Sequence, residues 1–570
     1  MMGDSFIIAI DFGTTYSGYS FSLTSTGEET DPRLKFWGKE IGKETPKTPT
    51  CILFDEHGEF MKFGYEAKMA YVEMRGENAR KHLYFECFKM SLYGTKLNRD
   101  VTIKAANGKS MKALKVFTEA LRYLKEDALE TIAANTEGRR FIASDFTWVL
   151  TVPAIWDPSA KQFMREAATQ AGIVTKGKED KLVIALEPEA ASVWCKKLPA
   201  EGFITENRGG DSLDRSPGTQ YIIVDCGGGT IDITVHEVLD GGALKELHKA
   251  SGNDLGGQTV DKKFKEFLRE IFCDGLWDEY ESNYPSEVQR MMYDFMVLKQ
   301  VNEDVQITCP FNLGKVAQKK KDIEEFFETV EGASWNDGSI KITKDKMRSF
   351  FDESLNSITK SIRDILSKDF RIEFILLVGG YAQSKILRKH IKNQFGRQCK
   401  VLCPYRAQEA IVKGAVMFGR NPEVVASRKS AFTYGIAIRE RFDESRHKAG
   451  KKFTITNVEW CNDIFRKLVE IDEDVGWNES REYIFGPIEA DLTGVTFKFF
   501  QTERNNPPYV DDWGVEEIGS FILDMPETKS GMNREVKVEI RFGSTEMTAT
   551  ATDIDSMAAA SITLDFMIKS

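Results

Sequence analysis

Five short apolar runs in the first two thirds of the chain each end in turn-forming residues. They cover residues 6–10, 147–152, 182–186, 221–225 and 374–378. Runs of this length without polar alternation are typical of strands covered on both faces of a sheet. Helical patterns lie between them, so the order of elements predicts an α/β architecture.

One of the helical patterns carries clear boundary signals. Asp157, Pro158 and Ser159 precede the segment AKQFMREAATQA, and Gly172 follows it. An oxygen-bearing cap, a proline in the first turn and a closing glycine are ordinary start and stop signals. We expect a helix between Asp157 and Gly172.

The pattern changes to strict alternation after about residue 420. Apolar and polar residues alternate along 536–542 and again along 562–568. This period of two predicts an antiparallel β domain at the end of the chain. A passive stabilising role and a ligand-binding role explain such a sheet equally well.

Length and composition place the chain among soluble globular proteins. Its 570 residues suggest three or four units, and 41% hydrophobic with 29% charged residues is an ordinary balance. No apolar stretch approaches the roughly 20 residues of a membrane span. The N-terminal segment MMGDSFIIAIDFG has no basic flank, which argues against a signal peptide. We expect a cytoplasmic protein.

Charge and cysteine usage exclude several kinds of site. A net charge of −11 disfavours nucleic acid as a partner. The basic run Lys319 to Lys321 is followed by acidic residues, which is typical of a solvated helix face. Nine scattered cysteines and six dispersed histidines show no metal-site spacing, and Cys399 and Cys403 fit buried small hydrophobes.

One arrangement occurs twice: an apolar strand, an aspartate, a glycine-rich turn, a threonine and a second strand. The copies are IIAIDFGTTYSGYS at 7–20 and IIVDCGGGTIDITV at 222–235. Glycine allows backbone N–H groups in such turns to converge on phosphate oxygens. The residues that fit this task are Gly13, Thr14, Thr15, Gly227, Gly228, Gly229 and Thr230. A single copy is a common hairpin, but the pair indicates two related halves that close on one polyphosphate.

The aspartates before the two turns, Asp11 and Asp225, are expected to face each other across this cleft. Two carboxylates at such a distance repel each other unless a cation lies between them. Magnesium keeps its waters and bridges carboxylate to phosphate, so Mg²⁺ is the predicted counter-ion.

An ordered set of motifs resembles the actin-like ATPase superfamily. Besides the two hairpins, the motifs are TVPAIWDPSAKQFMREAATQAG at 151–172, LEPEAAS at 186–192, LGGQTVD at 255–261 and LLVGGYAQSKILRKHI at 376–391. More narrowly, the chain resembles the seventy-kilodalton heat-shock proteins over nearly its whole length. LYFECFKM, ALEPEAAS and RKSAFTYGIAI are similar to the divergent branch called heat shock 70 kDa protein 12.

The resemblance implies a fold and a domain order. The fold is a duplicated α/β actin-like (ribonuclease H-like) ATPase domain in two lobes, followed by a smaller, mainly β C-terminal domain without a long helical lid. The implied units are lobe I at 1–198, an exposed connecting loop at 199–219, lobe II at 220–420, a linker with the first strand at 421–435, and the β domain at 436–570.

The resemblance also implies catalytic roles. Lys89 falls where the family keeps the lysine that orients the attacking water and the γ-phosphate. Glu187 falls at the cleft glutamate that holds magnesium-bound water and takes part in proton transfer. Without the family match, Lys89 is one of many lysines and Glu187 a helix-start carboxylate. Asp225 and Thr230 complete the implied catalytic set.

Further roles concern the cofactors ATP or ADP and Mg²⁺. Asp11 is an implied metal residue, and Asp225 and Glu187 act on the metal through water. Thr15 and Thr230 contact phosphate, and Asp232 orients water. Gly379, Gly380 and Tyr381 fall in the segment that passes under the adenosine. Lys299 falls in the helix that clamps the adenosine.

Several positions depart from the family pattern. The adenosine clamp keeps Lys299, but Met296 and Gln300 replace an acid and an arginine, so contacts to the base are expected to be weaker or rearranged. Cys226 and Glu189 replace the commoner Leu and Thr without removing a phosphate-binding group. The linker NPEVVASRKSAFTYG has no leucine run, and a missing lid implies rapid exchange of bound peptide.

The implied function is that of an ATP-binding, chaperone-related protein. Magnesium nucleotide between two lobes would control a lidless β domain that binds a protein or peptide client, with slow ATP hydrolysis and with co-chaperones unspecified. An interaction scaffold with negligible turnover is the main alternative. A sugar or glycerol kinase, which uses an added carboxylate as a base toward a substrate hydroxyl, ranks below it because the family signatures point elsewhere. The β tail gives no reason to prefer an actin-like filament.

Overall fold

A computed structural model describes residues 6–23, 31–94, 97–136, 138–175, 177–204, 212–542, 547–563 and 567. Most of the alternating segment 562–568 and the middle of the loop 199–219 lie outside the described residues. Among the helices described, none combines the length and the apolarity that a membrane crossing requires.

The first half of the nucleotide-motif region ends at Cys195. In chain order its elements are β1 (Phe6–Phe12), β2 (Tyr16–Ser22), β3 (Arg33–Leu34), β4 (Thr48–Pro49), β5 (Cys51–Phe54), β6 (Phe60–Phe63), α1 (Gly64–Glu73), α2 (Glu77–Lys81), β7 (Leu83–Glu86), β8 (Thr102–Lys104), β9 (Ser110–Lys112), α3 (Ala113–Ala134), β10 (Phe146–Val152), α4 (Pro158–Gln170), β11 (Leu182–Leu186) and α5 (Glu187–Cys195).

The main sheet of this half has the order β11-β10-β1-β2-β3, and β4 also pairs with β2. β1 and β2 form an antiparallel hairpin, while β1 runs parallel to β10. Six of the seven residues of β1 are buried, because the sheet is covered on both faces.

The second half runs from Gln220 to Lys429. Its elements are β12 (Gln220–Cys226), β13 (Ile231–Val238), β14 (Leu244–Asn253), α6 (Gln258–Ile271), α7 (Leu276–Asn283), α8 (Pro285–Leu298), β15 (Val305–Thr308), α9 (Phe311–Gln318), β16 (Ala333–Asn336), β17 (Ser339–Ile342), α10 (Lys344–Ser349), α11 (Asp352–Leu366), β18 (Ile372–Val378), α12 (Lys385–Phe395), β19 (Lys400–Leu402), α13 (Ala410–Arg420) and β20 (Val425–Lys429).

The second half repeats the arrangement of the first. β12 and β13 form an antiparallel hairpin, and β12 runs parallel to β18 as β1 does to β10. α13 packs against α5 and β1 of the first half. A Cβ on Gly414 of α13 would lie 1.7 Å from the Ala190 carbonyl oxygen, so the glycine allows the two helices to touch. A single buried cluster therefore joins the two halves.

The C-terminal part consists of strands joined by turns. They are β21 (Thr433–Arg441), β22 (Lys452–Ile455), β23 (Val458–Val469), β24 (Asp474–Gly476), β25 (Ser480–Phe485), β26 (Gly494–Thr502), β27 (Val515–Asp524), β28 (Val536–Arg541), β29 (Thr548–Asp553) and β30 (Ala559–Thr563). Two sheets, β22-β23-β21-β26-β27 and β25-β28-β29-β30, share a buried cluster.

The sheet of the second half continues into the C-terminal part. Its order is β19-β18-β12-β13-β14-β20-β24, so β24 adds a seventh strand at the edge. β20 runs parallel to β14 and pairs antiparallel with β24. The segment that links the halves to the C-terminal part is thus itself a sheet strand.

The structure confirms the strands predicted from the five apolar runs and the strand at 536–542. It also confirms the helix after Asp157, whose carboxylate accepts a hydrogen bond from the Ala160 N–H at 3.0 Å. Cys399 and Cys403 are buried, as expected. The basic run at Lys319 was wrongly placed on a helix face, because α9 ends at Gln318 and the run follows it in a turn.

Candidate functional site

The two glycine-rich turns touch each other across the cleft. A Cβ built on Gly228 would lie 2.0 Å from Thr15 Oγ1, and one on Gly229 would lie 2.6 Å from Thr14 Oγ1. Contacts below 3 Å leave no room for a side chain, so the approach of the two hairpins requires glycine at both positions. The duplicated motif therefore forms one site.

A cavity of about 540 Å³ opens beside the paired turns. Most residues that the sequence singles out line it, namely Asp11, Gly13, Thr14, Thr15, Lys89, Glu187, Asp225, Gly227, Gly228, Thr230, Lys299, Gly379, Gly380 and Tyr381. Gly229 and Asp232 are not among its lining residues. A cavity of this volume lies within the range of about 300–1,000 Å³ of small-molecule pockets.

Asp11 is already paired on its side of the cleft. Its Oδ2 accepts a hydrogen bond from Lys47 Nζ at 2.5 Å, and its Oδ1 accepts one from Thr151 Oγ1 at 3.2 Å. Lys47 also lines the cavity, and no pattern in the sequence pointed to it. Lys47 therefore compensates the charge of Asp11 at the wall of the cavity.

Asp225 is the opposite case. It is buried, and both carboxylate oxygens lack a hydrogen-bond partner among the described residues. Burial raises its pKa well above the usual range, and the nearby Glu187, Asp232 and Asp11 raise it further. An unpartnered buried carboxylate is costly, so this position is suited to a cation or to its bound water.

Glu187 and Lys89 form an ion pair inside the cavity. Lys89 Nζ donates to Glu187 Oε1 at 2.6 Å, and the ammonium group lies 5.1 Å from the ring centre of Trp156. Burial raises the pKa of Glu187 even though Lys89 opposes that shift. The pair places one proton-accepting group and one cation next to the turns.

Asp232 holds the back of the second turn. Its Oδ1 accepts from the Ile155 N–H at 2.9 Å and its Oδ2 from Thr230 Oγ1 at 3.0 Å. Burial and the charge of Glu187 raise the pKa of Asp232 to about 7. Asp232 therefore ties the second hairpin to the loop before α4.

Glu187, Asp225 and Asp232 offer carboxylate oxygens that all lie within 4.8 Å of one another. Three clustered carboxylates with raised pKa values repel one another, and a divalent cation with its waters would relieve that repulsion. The group fits Mg²⁺. It differs from the expected metal set, because Asp232 belongs to it and Asp11 does not; Lys47 already compensates Asp11.

The other end of the cavity is lined by Met296, Gln300 and Tyr381. Lys299, which follows the last residue of α8, does not point freely into it: its Nζ contacts both oxygens of Asp261, at 2.7 and 2.8 Å. The Gly257 carbonyl also accepts from it at 3.2 Å. No guanidinium group lines this end among the described residues.

Gly379 and Gly380 are glycines for different structural reasons. Gly379 has φ +86°, and a Cβ there would lie 2.4 Å from Asp225 Oδ1 and 2.6 Å from the Cys226 carbonyl. Gly380 has no neighbour within 4 Å of a built Cβ. Gly379 is thus needed for the fold around Asp225, whereas Gly380 keeps the cavity open.

Comparison with known proteins agrees with this geometry. The family model described as Hsp70 protein matches residues 74–430. Heat shock 70 kDa protein 12A of Homo sapiens is 33% identical over 617 aligned residues, covering 98% of this chain and 91% of that protein. The Mus musculus 12A protein is 33% identical, with 98% and 91% covered. Heat shock 70 kDa protein 12B of Homo sapiens is 32% identical, with 99% and 91% covered.

A match of this extent carries the fold as well as the motifs, and the Hsp70 match implies the actin-like ATPase fold. The chain belongs to the Hsp70 family, in the divergent branch of heat shock 70 kDa proteins 12A and 12B.

Proposed function

We propose that this protein binds ATP and ADP with Mg²⁺ between its two halves and hydrolyses ATP slowly. The observation that carries the proposal is the buried carboxylate of Asp225, unpartnered beside two touching phosphate-binding turns. Thr15 Oγ1 is likewise buried without a partner among the described residues. Phosphate oxygens and metal-bound water are the groups that would satisfy both.

The acidic and the basic side chains of the site have different proposed roles. Glu187, Asp225 and Asp232 would hold the waters of Mg²⁺, and the bound ion would neutralise charge on the phosphates. The N–H groups of both turns would bind the phosphate chain. Lys47 holds Asp11 in a fixed position and adds positive charge to the same side of the cavity.

Lys89 and Glu187 are the proposed catalytic pair. The Lys89 ammonium would bind the attacking water and the γ-phosphate, and the Glu187 carboxylate would accept the proton of that water. Their 2.6 Å contact occupies both groups when no substrate separates them. Because ATP must break this ion pair, slow turnover is expected.

The C-terminal part is the region that we propose responds to nucleotide binding. We propose that nucleotide moves the two halves as lobes and that this motion changes a C-terminal β domain that binds a protein or peptide client. Direct pairing of β20 with both β14 and β24 supports a mechanical connection. The described cysteines are free, which fits the proposed cytoplasmic location.

Calorimetric titration of the full chain with ATP and ADP, with and without Mg²⁺, tests binding. We expect Mg²⁺-dependent binding that Asp225→Asn weakens at least about tenfold, a change of about 1.4 kcal/mol. Lys109→Gln, at an exposed position outside the cavity, is the matched surface control. Nucleotide affinity that is the same for the wild-type chain and Asp225→Asn would contradict the proposed site.

Single-turnover hydrolysis tests the chemistry separately. Lys89→Ala should lower the rate by at least about a hundredfold, as expected for a lost transition-state charge. A rate equal to wild type would remove Lys89 from the mechanism while leaving nucleotide binding intact.

A scaffold that holds nucleotide as a structural ligand is the second candidate. Met296 and Gln300 at the base end, together with the closed Lys89–Glu187 pair, favour it. Negligible turnover with one stable protein partner would support the scaffold. Suppressed aggregation of several unrelated unfolded proteins would instead support the chaperone-related function.

A further inference from the structure

A second cavity, of about 310 Å³, lies where three parts of the molecule meet. The start of α4 lines one side, β14 and the end of β20 line another, and residues of the C-terminal part close the third. Its volume is at the lower end of the range for small-ligand pockets. It shares no lining residue with the cavity beside the glycine-rich turns.

Two lysines in this second cavity have no ion-pair partner among the described residues. Lys161, on α4, and Lys249, on β14, both line it, and neither forms an ion pair with an acidic side chain of the described residues. Burial and the nearby Arg428 lower the pKa of Lys161, despite the opposing effect of Glu189. Burial thus desolvates the Lys161 ammonium group, and the nearby carboxyl groups of Asp157 and Glu246 offset this only in part.

Among the described residues, the acidic groups of the lining form no ion pair with either lysine. Glu246 accepts a hydrogen bond from the Lys429 N–H at 2.9 Å, and burial raises the pKa of Glu246 to about 8, which leaves its carboxyl group mainly protonated at neutral pH. Asp157 is used as the cap of α4. Glu503 is an exposed residue at the rim. An anion inside the cavity would also face the positive end of the α4 dipole.

Besides the charged groups, the lining contains apolar and aromatic side chains. Trp156 and Phe542 are buried, and Phe432 and Tyr434 are half-buried. We propose that this second cavity binds a small amphipathic anion, in which an acidic head contacts Lys161 and Lys249 and a short apolar body packs against the aromatic rings.

The second cavity is connected to the first through two adjacent residues. One is Trp156, whose ring also lies 5.1 Å from Lys89 Nζ. The other is Ile155, whose N–H donates to Asp232. Occupancy of the second cavity therefore restricts the loop that positions Lys89 and Asp232.

Calorimetric titration of the full chain with octanoate tests the site, with octylamine and acetate as matched ligands. Octanoate should bind more tightly than acetate, which lacks the apolar body, and octylamine, of opposite charge, should not bind. Lys161→Gln and Lys249→Gln should each weaken octanoate binding about tenfold, as for a lost charge-assisted hydrogen bond. Lys319→Gln, at an exposed turn, should leave it unchanged.

A fourth variant tests the sign of the charge effect. Glu503→Gln removes the acidic group at the rim, so octanoate should bind more tightly to it than to the wild-type chain. Thermal melting establishes that each variant is folded, and the half-buried position of Lys249 makes its variant a safeguard if Lys161→Gln unfolds. Absence of octanoate binding, equal binding of octylamine, or unchanged affinity in both lysine variants would overturn the proposal.

Discussion

The guanidinium group of Arg428 forms a two-pronged ion pair with the carboxylate of Glu189, with Nε to Oε1 at 2.6 Å and a second contact at 2.7 Å. Both residues are buried. Glu189 lies on α5, two residues after Glu187, and Arg428 lies on β20, the strand that leads into the C-terminal part. The ion pair therefore connects the helix of Glu187, the proposed catalytic glutamate, to the linking strand.

Removing one partner of this pair should loosen the linking strand. A buried charge left without its partner costs about 3–5 kcal/mol, and the pairing of β20 with β14 and β24 must then hold the strand. We expect Glu189→Gln to expose the bonds after Arg428 and Lys429 to trypsin. Limited proteolysis with mass analysis of the fragments measures this.

Glu201→Gln, at an exposed position, is the control and should be cleaved at the wild-type rate. Replacing both partners by leucine should restore much of the resistance at Lys429, because no unpaired charge is then buried. Equal cleavage of Glu189→Gln and the wild-type chain would mean that the ion pair does not hold the strand.

The stability of the junction should depend on the protonation of Glu246. This carboxyl faces Glu189, Arg428, Lys161 and the Lys429 N–H, and burial, followed by the charge of Glu189, raises its pKa from 4.5 to about 8. The folded state thus holds the proton more tightly than the unfolded state. Its contribution to stability is present below pH 4.5 and is lost as the pH rises to about 8.

Glu246→Gln keeps the neutral form at every pH. The difference in unfolding free energy between this variant and the wild-type chain should grow in favour of the variant from about pH 5 to pH 8. The slope has an upper limit of about 1.4 kcal/mol per pH unit. Denaturant titrations of both proteins measure it, and a difference that does not vary with pH would show that Glu246 is ionised throughout.

Gly379 and Gly380 should respond differently to alanine. Gly379→Ala places a methyl group against Asp225 in a backbone conformation that alone costs about 1–2 kcal/mol, so we expect a lower melting temperature. Gly380→Ala meets no atom within 4 Å and should fold normally. Because its methyl group enters the cavity, ATP affinity should fall in the calorimeter. Equal melting temperatures for Gly379→Ala and the wild-type chain would argue against the close approach at Gly379.

Introducing a guanidinium group at the base end should strengthen ATP binding. Gln300 is exposed and lines the cavity, and an arginine there could stack on adenine for about 0.5–2 kcal/mol. We expect Gln300→Arg to lower the dissociation constant of ATP several-fold. Gln306→Arg, on the exposed face of β15, is the charge-matched control and should not change it. Unchanged affinity for Gln300→Arg would place the base elsewhere.

Features that depend on a local pattern could be predicted from the sequence. The apolar strands, the Asp157 cap and the two glycine-rich turns each lie within about ten residues, so residue type and spacing define them. The approach of the two turns followed from the repetition of the motif. Gly228 and Gly229 are consistent with this: a Cβ at either position would meet a threonine of the first hairpin, and a Cβ on Gly229 would also meet Met90.

Ion pairs between residues that are far apart in the chain could not be predicted from the sequence. Lys47 and Asp11 are 36 positions apart, and Arg428 and Glu189 are 239 apart, with no pattern that relates one to the other. From the sequence, Glu189 is only a departure from the commoner threonine that removes no phosphate-binding group. Arg428, the partner of Glu189, lies in the linking strand, whose sequence has no leucine run to couple the nucleotide-binding halves to the C-terminal part. The ion pair provides a contact there that the sequence did not predict.

The short strand β24 has a consequence for solubility. It covers the outer backbone groups of β20 through the pairs Ser427 with Gly476 and Lys429 with Asp474. If the C-terminal part moves away, β20 becomes a bare sheet edge that can recruit a strand from another molecule. Conformations that release this part therefore carry a risk of self-association, and the charged side chains of Arg428 and Lys429 on the same strand act as gatekeepers against it.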